Sequence, residues 1–452
     1  MDRNTLWRLG TAFPLVLSCI GLADCSATND TTTAALPPTA IAVKRYTALG
    51  QPDAGFSGGA VATKIDPSEF EYALAAALQS GKIIAAGHSV LAGQGVMALV
   101  RYNTDGSLDT GFGSSGTVRT AIRSVNAVAT AVVVQPGATP ADDKILVAGS
   151  TFDPSTGTTG IVLARYTANG TLDATFAGGF VNAAIGPGTS VDNASLALQG
   201  DGSIVVAGAT TAGDFVLRRY DSNGVLDTAN FGTNGTGGTV TTHVGPSAMG
   251  PAIALQSGKI VAAGASGSFA SPPLNGVLVR YNTNGTLDLT FGGGTGMVFT
   301  DTVPSSNNFA NAVAVQTPGD KIVVAGHAFV DFAADTSDII VLRYNANGTP
   351  DTGFGTNGAV ITDLGAFDNA FSIALQPTVS DPNVVNIVVS GNTGSGIAIS
   401  AAVLRFTPVG VLDTTFGTGG IVTTSPTGPS IAASANAVLV QPDRSIVVVG
   451  YD

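Results

Sequence analysis

The chain has 452 residues, of which 59 are Gly and only 11% are charged, and its formal net charge is −12. This composition favours many short, turn-linked strands over helices, and it suits one large array better than several helical domains. Eleven of the 19 Lys and Arg residues occupy recurring positions and two lie near the N terminus. No basic cluster remains, so the composition disfavours a nucleic-acid partner.

The first 25 residues are predicted to be a signal peptide. Arg3 and Arg8 supply positive charge, and an apolar stretch follows from Leu9 to Leu22. Residues 26–40 are rich in Thr, Asn and Ala, which predicts a flexible tether. We therefore expect export, either to the cell envelope or into the medium.

Cys25 is the lipidation candidate. Leu22-Ala23-Asp24-Cys25 resembles a bacterial lipoprotein signal, in which the Cys is acylated and becomes the first mature residue. Asp24 departs from the small residue usual before that Cys, and ordinary cleavage after Ala27 is the alternative. Since Cys19 is the only other cysteine, the mature domain is predicted to have no disulfide, and any membrane contact would come through the lipid.

Residues 41–452 are predicted to be built from one recurring unit. Seven times an Arg-aromatic pair is followed, eight residues after its Arg, by an Asp and then by a Phe and glycines. Successive pairs are 54 to 64 residues apart, which indicates a structural repeat. The aromatic members are Tyr46, Tyr102, Tyr166, Tyr220, Tyr281, Tyr344 and Phe406.

Each unit contains four apolar bursts of strand length, bounded by Gly, Asn, Asp or Pro. One unit has them at 311–316, 321–326, 339–344 and 358–362. Because the bursts are almost continuously apolar, both faces of each four-stranded antiparallel sheet are expected to be covered. The fold class is therefore all-β.

The two ends of the chain each carry half a unit. After the tether come a third strand (41–46) and a fourth (59–64), and the chain ends with a first (435–441) and a second (445–450). These halves complete a seventh sheet, which predicts a seven-bladed β-propeller whose last blade is closed by N-terminal and C-terminal strands together. A β-solenoid, the alternative, has no reason to split a unit and needs polar caps.

The repeat resembles the delta-60 family of uncharacterised bacterial repeat proteins, which are assigned to β-propellers. The residues that carry the resemblance are Arg101-Tyr102-Asn-Thr-Asp-Gly106-Ser-Leu-Asp109-Thr-Gly-Phe112-Gly113 and Arg280-Tyr281-Asn-Thr-Asn-Gly285-Thr-Leu-Asp288-Leu-Thr-Phe291-Gly292. The resemblance covers residues 41–452 and implies the fold. It implies no catalytic or binding residues.

The recurring Arg and Asp residues are interpreted as structural pairs. Seven equivalent pairs cannot all form one active site, and a charge-assisted hydrogen bond within each pair would fasten the connection between the third and fourth strands. The pairs are Arg45 and Asp53, Arg101 and Asp109, Arg165 and Asp173, Arg219 and Asp227, Arg280 and Asp288, Arg343 and Asp351, and Arg405 and Asp413.

Two local patterns imitate ligand-binding motifs. The segment 221–227 faintly resembles a calcium loop, but it lacks the bidentate Glu that EF-hand-type loops need, so calcium is only a minor alternative to no cofactor. The segments 111–116 and 353–358 match G-x-G-x-x-G, yet a strand follows instead of the helix that a dinucleotide site requires. We interpret these glycines as a bend into the fourth strand.

Other chemically capable residues are few. His88 and His327 occupy equivalent places just after a second strand, while His243 stands apart. A metal site or a general base is the alternative reading of these histidines, but too few ligands accompany them. Glu69 and Glu71 are interpreted as an inert pair on a solvated edge. Among the departures from the repeat, Phe269, Phe329, Asp331 and Phe332 are candidates for a modest contact surface, and exposed loop decoration is the alternative.

These patterns predict an exported, monomeric, non-catalytic binding or structural module at the cell envelope. Its partner is an unknown protein, glycan or small ligand. The alternatives are a propeller enzyme, such as a cation-assisted hydrolase or lactonase or a quinone-dependent dehydrogenase with its site at the channel mouth, and an adhesion or surface protein.

Overall fold

The computed structural model describes residues 39–186, 194–268, 271–302, 306–331, 336–365, 367–395, 398–426 and 432–452. The signal peptide, Cys25 and the tether up to residue 38 lie outside the described residues, as do Phe269 and Phe332. Within the described ranges no helix has the length and apolar character needed to cross a bilayer.

Thr39 and Ala40 belong to the folded domain. Thr39 Oγ1 donates a hydrogen bond to the carbonyl of Glu71 (2.8 Å), and the N–H of Ala40 donates to the carbonyl of Asp452 (3.1 Å). Thr39 is therefore held through its side chain, and Ala40 extends the backbone pairing of the first strand.

The described chain is all β, with the strands grouped in fours. The first two strands are β1 (Ile41–Tyr46) and β2 (Ala60–Thr63). Sheet 1 then contains β3 (Tyr72–Gln79), β4 (Lys82–Leu91), β5 (Gln94–Tyr102) and β6 (Thr117–Thr120), and sheet 2 contains β7 (Asn126–Gln135), β8 (Lys144–Asp153), β9 (Thr158–Thr167) and β10 (Phe180–Gly186).

The middle of the chain repeats the pattern. Sheet 3 contains β11 (Ser195–Leu198), β12 (Ile204–Ala209), β13 (Asp214–Tyr220) and β14 (Thr239–His243). Sheet 4 contains β15 (Ala248–Gln256), β16 (Lys259–Ser268), β17 (Ser271–Tyr281) and β18 (Met297–Thr300).

The last strands complete the series. Sheet 5 contains β19 (Asn308–Gln316), β20 (Lys321–Asp331), β21 (Thr336–Tyr344) and β22 (Ala359–Thr362), and sheet 6 contains β23 (Phe367–Pro377), β24 (Val385–Ser395), β25 (Ala398–Phe406) and β26 (Ile421–Thr424). The chain ends with β27 (Ser434–Val440) and β28 (Ile446–Tyr451).

Within each sheet, strands adjacent in sequence pair antiparallel, and one parallel pair, Ser337 with Phe367, joins sheet 5 to sheet 6. The two ends of the chain share a further sheet, the terminal sheet, in the order β2-β1-β28-β27. In it β1 pairs with β28 from Ile41 opposite Tyr451 to Tyr46 opposite Ile446. Strands from opposite ends of the chain are therefore neighbours.

The sheets pack face to face through apolar side chains that alternate between the two faces of each strand. In sheet 4, Val261 packs toward sheet 5, whereas Ile260 packs toward sheet 3. The terminal sheet packs in the same way, with Val449 toward sheet 1 and Val448 toward sheet 6. The core therefore lies between the sheets. Complete burial of one such side chain stabilises the folded state by about 1.5–3 kcal/mol.

The first strand of each sheet contacts the first strands of the neighbouring sheets, and β27 contacts β3. Except in β11, this strand carries a β-bulge near its start, as at Asn311 between Ala310 and Ala312. The bulge pushes a carbonyl against the second strand, where a Cβ at Gly326 would lie 1.8 Å from the oxygen of Phe309. Similar backbone contacts are made by Gly87, Gly149, Gly264, Gly391 and Gly450.

Candidate functional site

The recurring motif forms one ion-pair arrangement at the end of the sheets where the third strand turns into the fourth. We call this end the motif face and the opposite end the crossover face. In sheet 4, Arg280 Nε donates to Asp288 Oδ2 (2.6 Å), and Lys259 Nζ donates to the same oxygen (2.6 Å). Arg280 and Asp288 are 6% and 2% exposed, which makes this a nearly buried pair.

Further contacts hold both partners in place. Asp288 Oδ1 accepts hydrogen bonds from the N–H (3.1 Å) and hydroxyl (2.7 Å) of Thr290, and Arg280 Nη1 donates to Gln256 Oε1 (2.6 Å). The guanidinium carbon lies 4.5 Å from the ring centroid of Phe291. Burial alone would raise the pKa of Asp288, but the hydrogen bonds from Lys259 and Thr290 and the Arg280 charge outweigh it, and the net shift is downward.

The Arg-Asp pair and its Phe recur in every sheet, whereas the additional Lys is present in sheets 1, 2, 4 and 5. The Arg-Asp distances lie between 2.6 and 2.9 Å, and each guanidinium lies 4.3–4.9 Å from the centroid of its own Phe ring. The structure thus places together Arg45 and Asp53, Arg101 and Asp109, Arg165 and Asp173, Arg219 and Asp227, Arg343 and Asp351, and Arg405 and Asp413.

Each Arg also reaches the neighbouring sheet, a role that the sequence interpretation did not include. Arg280 Nη1 donates to the carbonyl of Ala346, in the turn of sheet 5. Two residues further on, Gly348 lies against the ring of Phe291, where a Cβ would come within 2.7 Å. The other donor-acceptor pairs are Arg45 and Thr104, Arg101 and Ala168, Arg165 and Ser222, Arg219 and Thr283, Arg343 and Pro408, and Arg405 and Ala48.

The motif is therefore a joint between sheets. The Asn-Gly and Asp-Gly turns have positive φ at their glycines, as at Gly285 with φ 86° and Gly348 with φ 88°. Glycine is required at this position for two reasons. It adopts the positive φ, and the motif Phe of the preceding sheet leaves no room for a side chain. The signal that could have revealed the joint is the Gln that recurs at the end of the first strand, as at Gln256 and Gln376.

A second set of contacts links the first strands near the crossover face. The bulged side chains reach across to backbone carbonyls of the next sheet. Thr130 Oγ1 donates to Ala194 (2.6 Å), Asn311 Nδ2 to Ala370 (2.8 Å), and Asn436 Nδ2 to Ala73 (2.8 Å).

His88 and His327 are equivalent, as expected, but they lie within β4 and β20, where each stacks on an aromatic residue of the first strand. His88 pairs with Tyr72 (centroids 5.1 Å apart) and His327 with Phe309 (4.5 Å). Burial lowers the pKa of His88 to about 4 and that of His327 to about 3. Both are therefore neutral in the fold, and Asn311 Nδ2 lies 3.1 Å from His327 Nδ1.

Two sequence interpretations at the crossover face were wrong. Glu71 is fully buried instead of solvated, since its link folds back and presents the N–H groups of Ile65 (2.6 Å) and Asp66 (2.9 Å) to its carboxylate. Phe329 is only 6% exposed because it packs with Phe309, so it offers no contact surface.

Three carboxylates that the sequence analysis missed converge at the crossover face of sheets 5 and 6. Oxygens of Asp338, Asp363 and Asp368 all lie within 4.8 Å of one another. Burial, followed by the charges of Asp363 and Asp368, raises the pKa of Asp338. No sequence motif predicts this cluster of carboxylates, because the three residues come together only through the link between two sheets.

The segment that resembled a calcium loop forms a turn with its oxygens already engaged. Asp221 Oδ1 accepts hydrogen bonds from the N–H groups of Asn223 (2.8 Å) and Val225 (2.9 Å). Asp227 Oδ2 accepts from Arg219 Nη2 (2.7 Å). These are the contacts of an Asx turn followed by the recurring joint.

A groove of about 680 Å³ opens on the motif face between sheets 1 and 2. Its lining includes Gln79, Lys82, Arg101, Pro140 and Asn169. Lys82 and Arg101 are already bonded to Asp109, each at 2.7 Å. The groove therefore lies over one of the recurring joints.

Comparison with known proteins agrees with this geometry. Five segments, 78–112, 141–176, 199–229, 255–291 and 319–354, match a family described as "Domain of unknown function (DUF5122) beta-propeller". The recurring unit is a β-propeller repeat. The segments amount to less than half of the chain, and four of them end at the Phe of the motif. No curated protein matches the sequence.

Three solved structures resemble this chain distantly. Sqt1 from Chaetomium thermophilum is 12% identical, with 84% of this chain and 96% of that one covered and a TM-score of 0.42. The GH43 endo-arabinanase from Bacillus licheniformis is 13% identical, with 64% and 96% covered and a TM-score of 0.30. The β-propeller domain of the Trilobed protease from Pyrococcus furiosus is 8% identical, with 73% and 79% covered and a TM-score of 0.34. These scores carry no argument about function.

Substitution of Asp288 by Ala is expected to destabilise the protein, because it leaves Arg280 buried without its partner. Removing one member of a buried ion pair costs about 3–5 kcal/mol of unfolding free energy. Calorimetry or denaturant unfolding would measure the loss. The control Asp201→Ala, at an exposed turn, should change stability by less than about 0.5 kcal/mol. Equal stability of Asp288→Ala and the wild type would contradict the structural role.

The buried histidines predict that stability falls in mild acid. In the unfolded chain the two histidines are protonated below about pH 6.5. In the folded protein burial lowers the pKa of His88 to about 4 and the pKa of His327 to about 3, so they stay neutral until that pH is reached. The free energy of unfolding should therefore drop between pH 6.5 and 4, by up to about 1.4 kcal/mol per pH unit for each histidine. Melting temperatures across this range should fall less steeply for the double variant His88→Gln/His327→Gln. Identical slopes would refute the assignment.

Proposed function

We propose that the protein is a closed seven-bladed β-propeller of the delta-60 type, exported to the bacterial cell envelope, where it acts as a monomeric, non-catalytic binding or structural module. The single observation that carries this proposal is that the recurring Arg-Asp motif makes the same inter-sheet joint in every sheet. The most prominent charged residues of the chain thereby serve the frame. Recognition is then left to positions that depart from the repeat.

Ring closure is supported by the contacts of the terminal sheet on both of its sides. Arg405 of sheet 6 donates to Ala48 in the terminal sheet, and Arg45 of the terminal sheet donates to Thr104 in sheet 1. With sheets 1 to 6 and the terminal sheet as blades, the count is seven. A closed ring leaves no first-strand edge open to another chain.

The binding-module proposal follows from what such a frame offers. A rigid ring presents two faces and a central channel, and its loops vary while its joints stay the same. Partners would be a protein, a glycan or a small ligand held by surface complementarity. The net charge of −12 favours partners that are neutral or basic.

One observation favours the alternative, a cation-assisted propeller enzyme. The oxygens of Asp338, Asp363 and Asp368 meet at the crossover face, and hard cations such as Ca²⁺ prefer carboxylate ligands. Elemental analysis of the purified protein separates the two functions. The module predicts no stoichiometric metal after dialysis, whereas one tightly held cation that Asp363→Asn abolishes would favour the enzyme.

Export and anchoring predict that Cys25 carries lipid. In a bacterial host fed radioactive palmitate, the wild-type protein should be labelled and should sediment with membranes. Cys25→Ala should lose the label and the membrane fraction, because the diacylglyceryl group, linked to the Cys sulfur through a thioether, supplies the apolar attachment. The matched control Cys19→Ala, in the same segment, should keep both. Label that survives in Cys25→Ala, or an unlabelled wild type, would overturn the lipid anchor.

A further inference from the structure

His327 lies where sheet 5 packs against sheet 6, a junction of β19 and β20 with β23 that we call the seam. Its imidazole is stacked on Phe309, with ring centroids 4.5 Å apart, and meets the ring of Phe329 edge-on at 5.7 Å. Val323 and Ala325, which share its side of β20, pack toward sheet 6. The imidazole therefore faces the seam and has aromatic neighbours.

Asn311 connects this imidazole to sheet 6. Its Nδ2 donates a hydrogen bond to the carbonyl of Ala370 (2.8 Å) and lies 3.1 Å from His327 Nδ1. Because a carbonyl oxygen can only accept, the NH₂ group of the amide points toward both atoms, and Nδ1 must accept as well. A neutral imidazole that carries its proton on Nε2 satisfies this arrangement.

A proton on Nδ1 would break the arrangement, because it would place an N–H group against the NH₂ group of Asn311. Two donors cannot share a hydrogen bond. Rotation of the amide by 180° would turn its oxygen toward the carbonyl of Ala370, where two acceptors would meet. The amide therefore cannot satisfy a charged His327 and sheet 6 at the same time. His327 retains some solvent access, so a proton can reach it.

Other sheets show the same two positions without this coupling. In sheet 1, His88 is the equivalent histidine, but the bulged residue of the first strand is Leu74, which has no amide to donate. In sheet 2, the bulged Thr130 donates to sheet 3 through its hydroxyl (2.6 Å), and Ser150 stands where sheet 5 has His327. The combination of a titratable ring with a cross-sheet amide thus distinguishes the seam from these two sheets.

The elements packed around His327 carry charges only toward their ends. The strands β19 and β24 contain no Asp, Glu, Lys or Arg. The charged residues are Asp331, Asp338, Asp363 and Asp368 toward the crossover face, and Lys321 and Arg343, both bonded to Asp351, at the motif face.

Opening of the seam would make His327 easier to protonate. An imidazole in water has a pKa of about 6.5, whereas burial lowers the pKa of His327 to about 3 in the closed seam. The ratio of open to closed seam should therefore rise by up to about tenfold for each pH unit below 6.5, until about pH 3. Asp338 acts in the opposite direction, since burial and then the charges of Asp363 and Asp368 raise its pKa in the closed seam.

We propose that His327 and Asn311 form an acid-sensitive latch between sheets 5 and 6. Neutral His327 keeps the amide of Asn311 on the carbonyl of Ala370, and protonation releases β23 from β19 near the crossover face. Since Asp338 and Asp368 approach each other across the same two sheets, the release also changes the surface of that face. The latch goes beyond the proposed function, because it acts on the frame whichever partner the module binds.

Hydrogen exchange measured by mass spectrometry on the full-length protein at pH 6.5 and pH 4.5 tests the latch. Each rate is divided by the intrinsic rate at that pH, which gives a protection factor. In the wild type, protection of β23 should fall at least about tenfold more than protection of β3, because sheet 1 has no latch. An equal fall in both strands, or no fall in β23, would overturn the proposal.

Two variants remove the titrating ring. His327→Gln still offers Asn311 an acceptor but cannot become charged, so protection of β23 should change by less than about threefold between the two pH values. If this variant fails to fold, the double variant Asn311→Thr/His327→Ser copies Thr130 and Ser150 of sheet 2 and should give the same result. A fall as large as in the wild type, in whichever variant folds, would refute the latch.

The matched control is His88→Gln, which removes the equivalent ring from sheet 1. It should leave the fall of β23 protection as large as in the wild type, because His88 does not touch the seam. The single variant Asn311→Thr should reduce that fall at least about threefold, since the amide that responds to His327 is gone while a hydroxyl keeps the bond to sheet 6. Loss of the fall in His88→Gln, or an undiminished fall in Asn311→Thr, contradicts the proposal.

Discussion

The guanidinium of each motif Arg is the interaction on which the rest of the structure depends. It is bonded on one edge to the Asp of its own sheet and on another to a carbonyl in the turn of the next sheet, and it lies over its own Phe. A buried cation needs several partners to offset the loss of water. These partners come from two sheets, so the charge is satisfied only when the sheets are in place.

This dependence explains why the sheets form an array and not a string of independent units. Each sheet is covered on both faces by neighbours, and no single sheet buries enough apolar surface to be stable alone. The Arg joints at the motif face and the hydrogen bonds from the bulged side chains near the crossover face hold adjacent sheets together at both ends. Between them lies the apolar packing that supplies most of the favourable free energy.

The recurrence of the motif also separates structure from function. Residues that appear in every unit are committed to the frame, as Asp288 shows with its four hydrogen-bond donors from Arg280, Lys259 and Thr290. Positions that differ between units are free to acquire other roles. The carboxylates of Asp338, Asp363 and Asp368 occupy such positions, and they meet only because sheets 5 and 6 are adjacent.

Much of the fold could be predicted from local pattern. The four strands of each unit, the glycine turns and the Arg-Asp pairs follow from spacing, because strand period, positive φ and charge pairing act over a few residues. The burial of Glu71 and Phe329 could not be predicted in this way, since it depends on how a link folds back and on which side chains a neighbouring sheet provides.

The sequence by itself determined that this protein is all β, repetitive and acidic, with an Arg and an Asp paired in every unit, since those features need only near neighbours along the chain. Only the tertiary structure decided that the same Arg reaches into the next sheet, that β1 lies beside β28, and that three carboxylates converge where sheets 5 and 6 adjoin. Contacts between residues hundreds of positions apart arise from tertiary packing, which the local periodicity of the sequence does not encode.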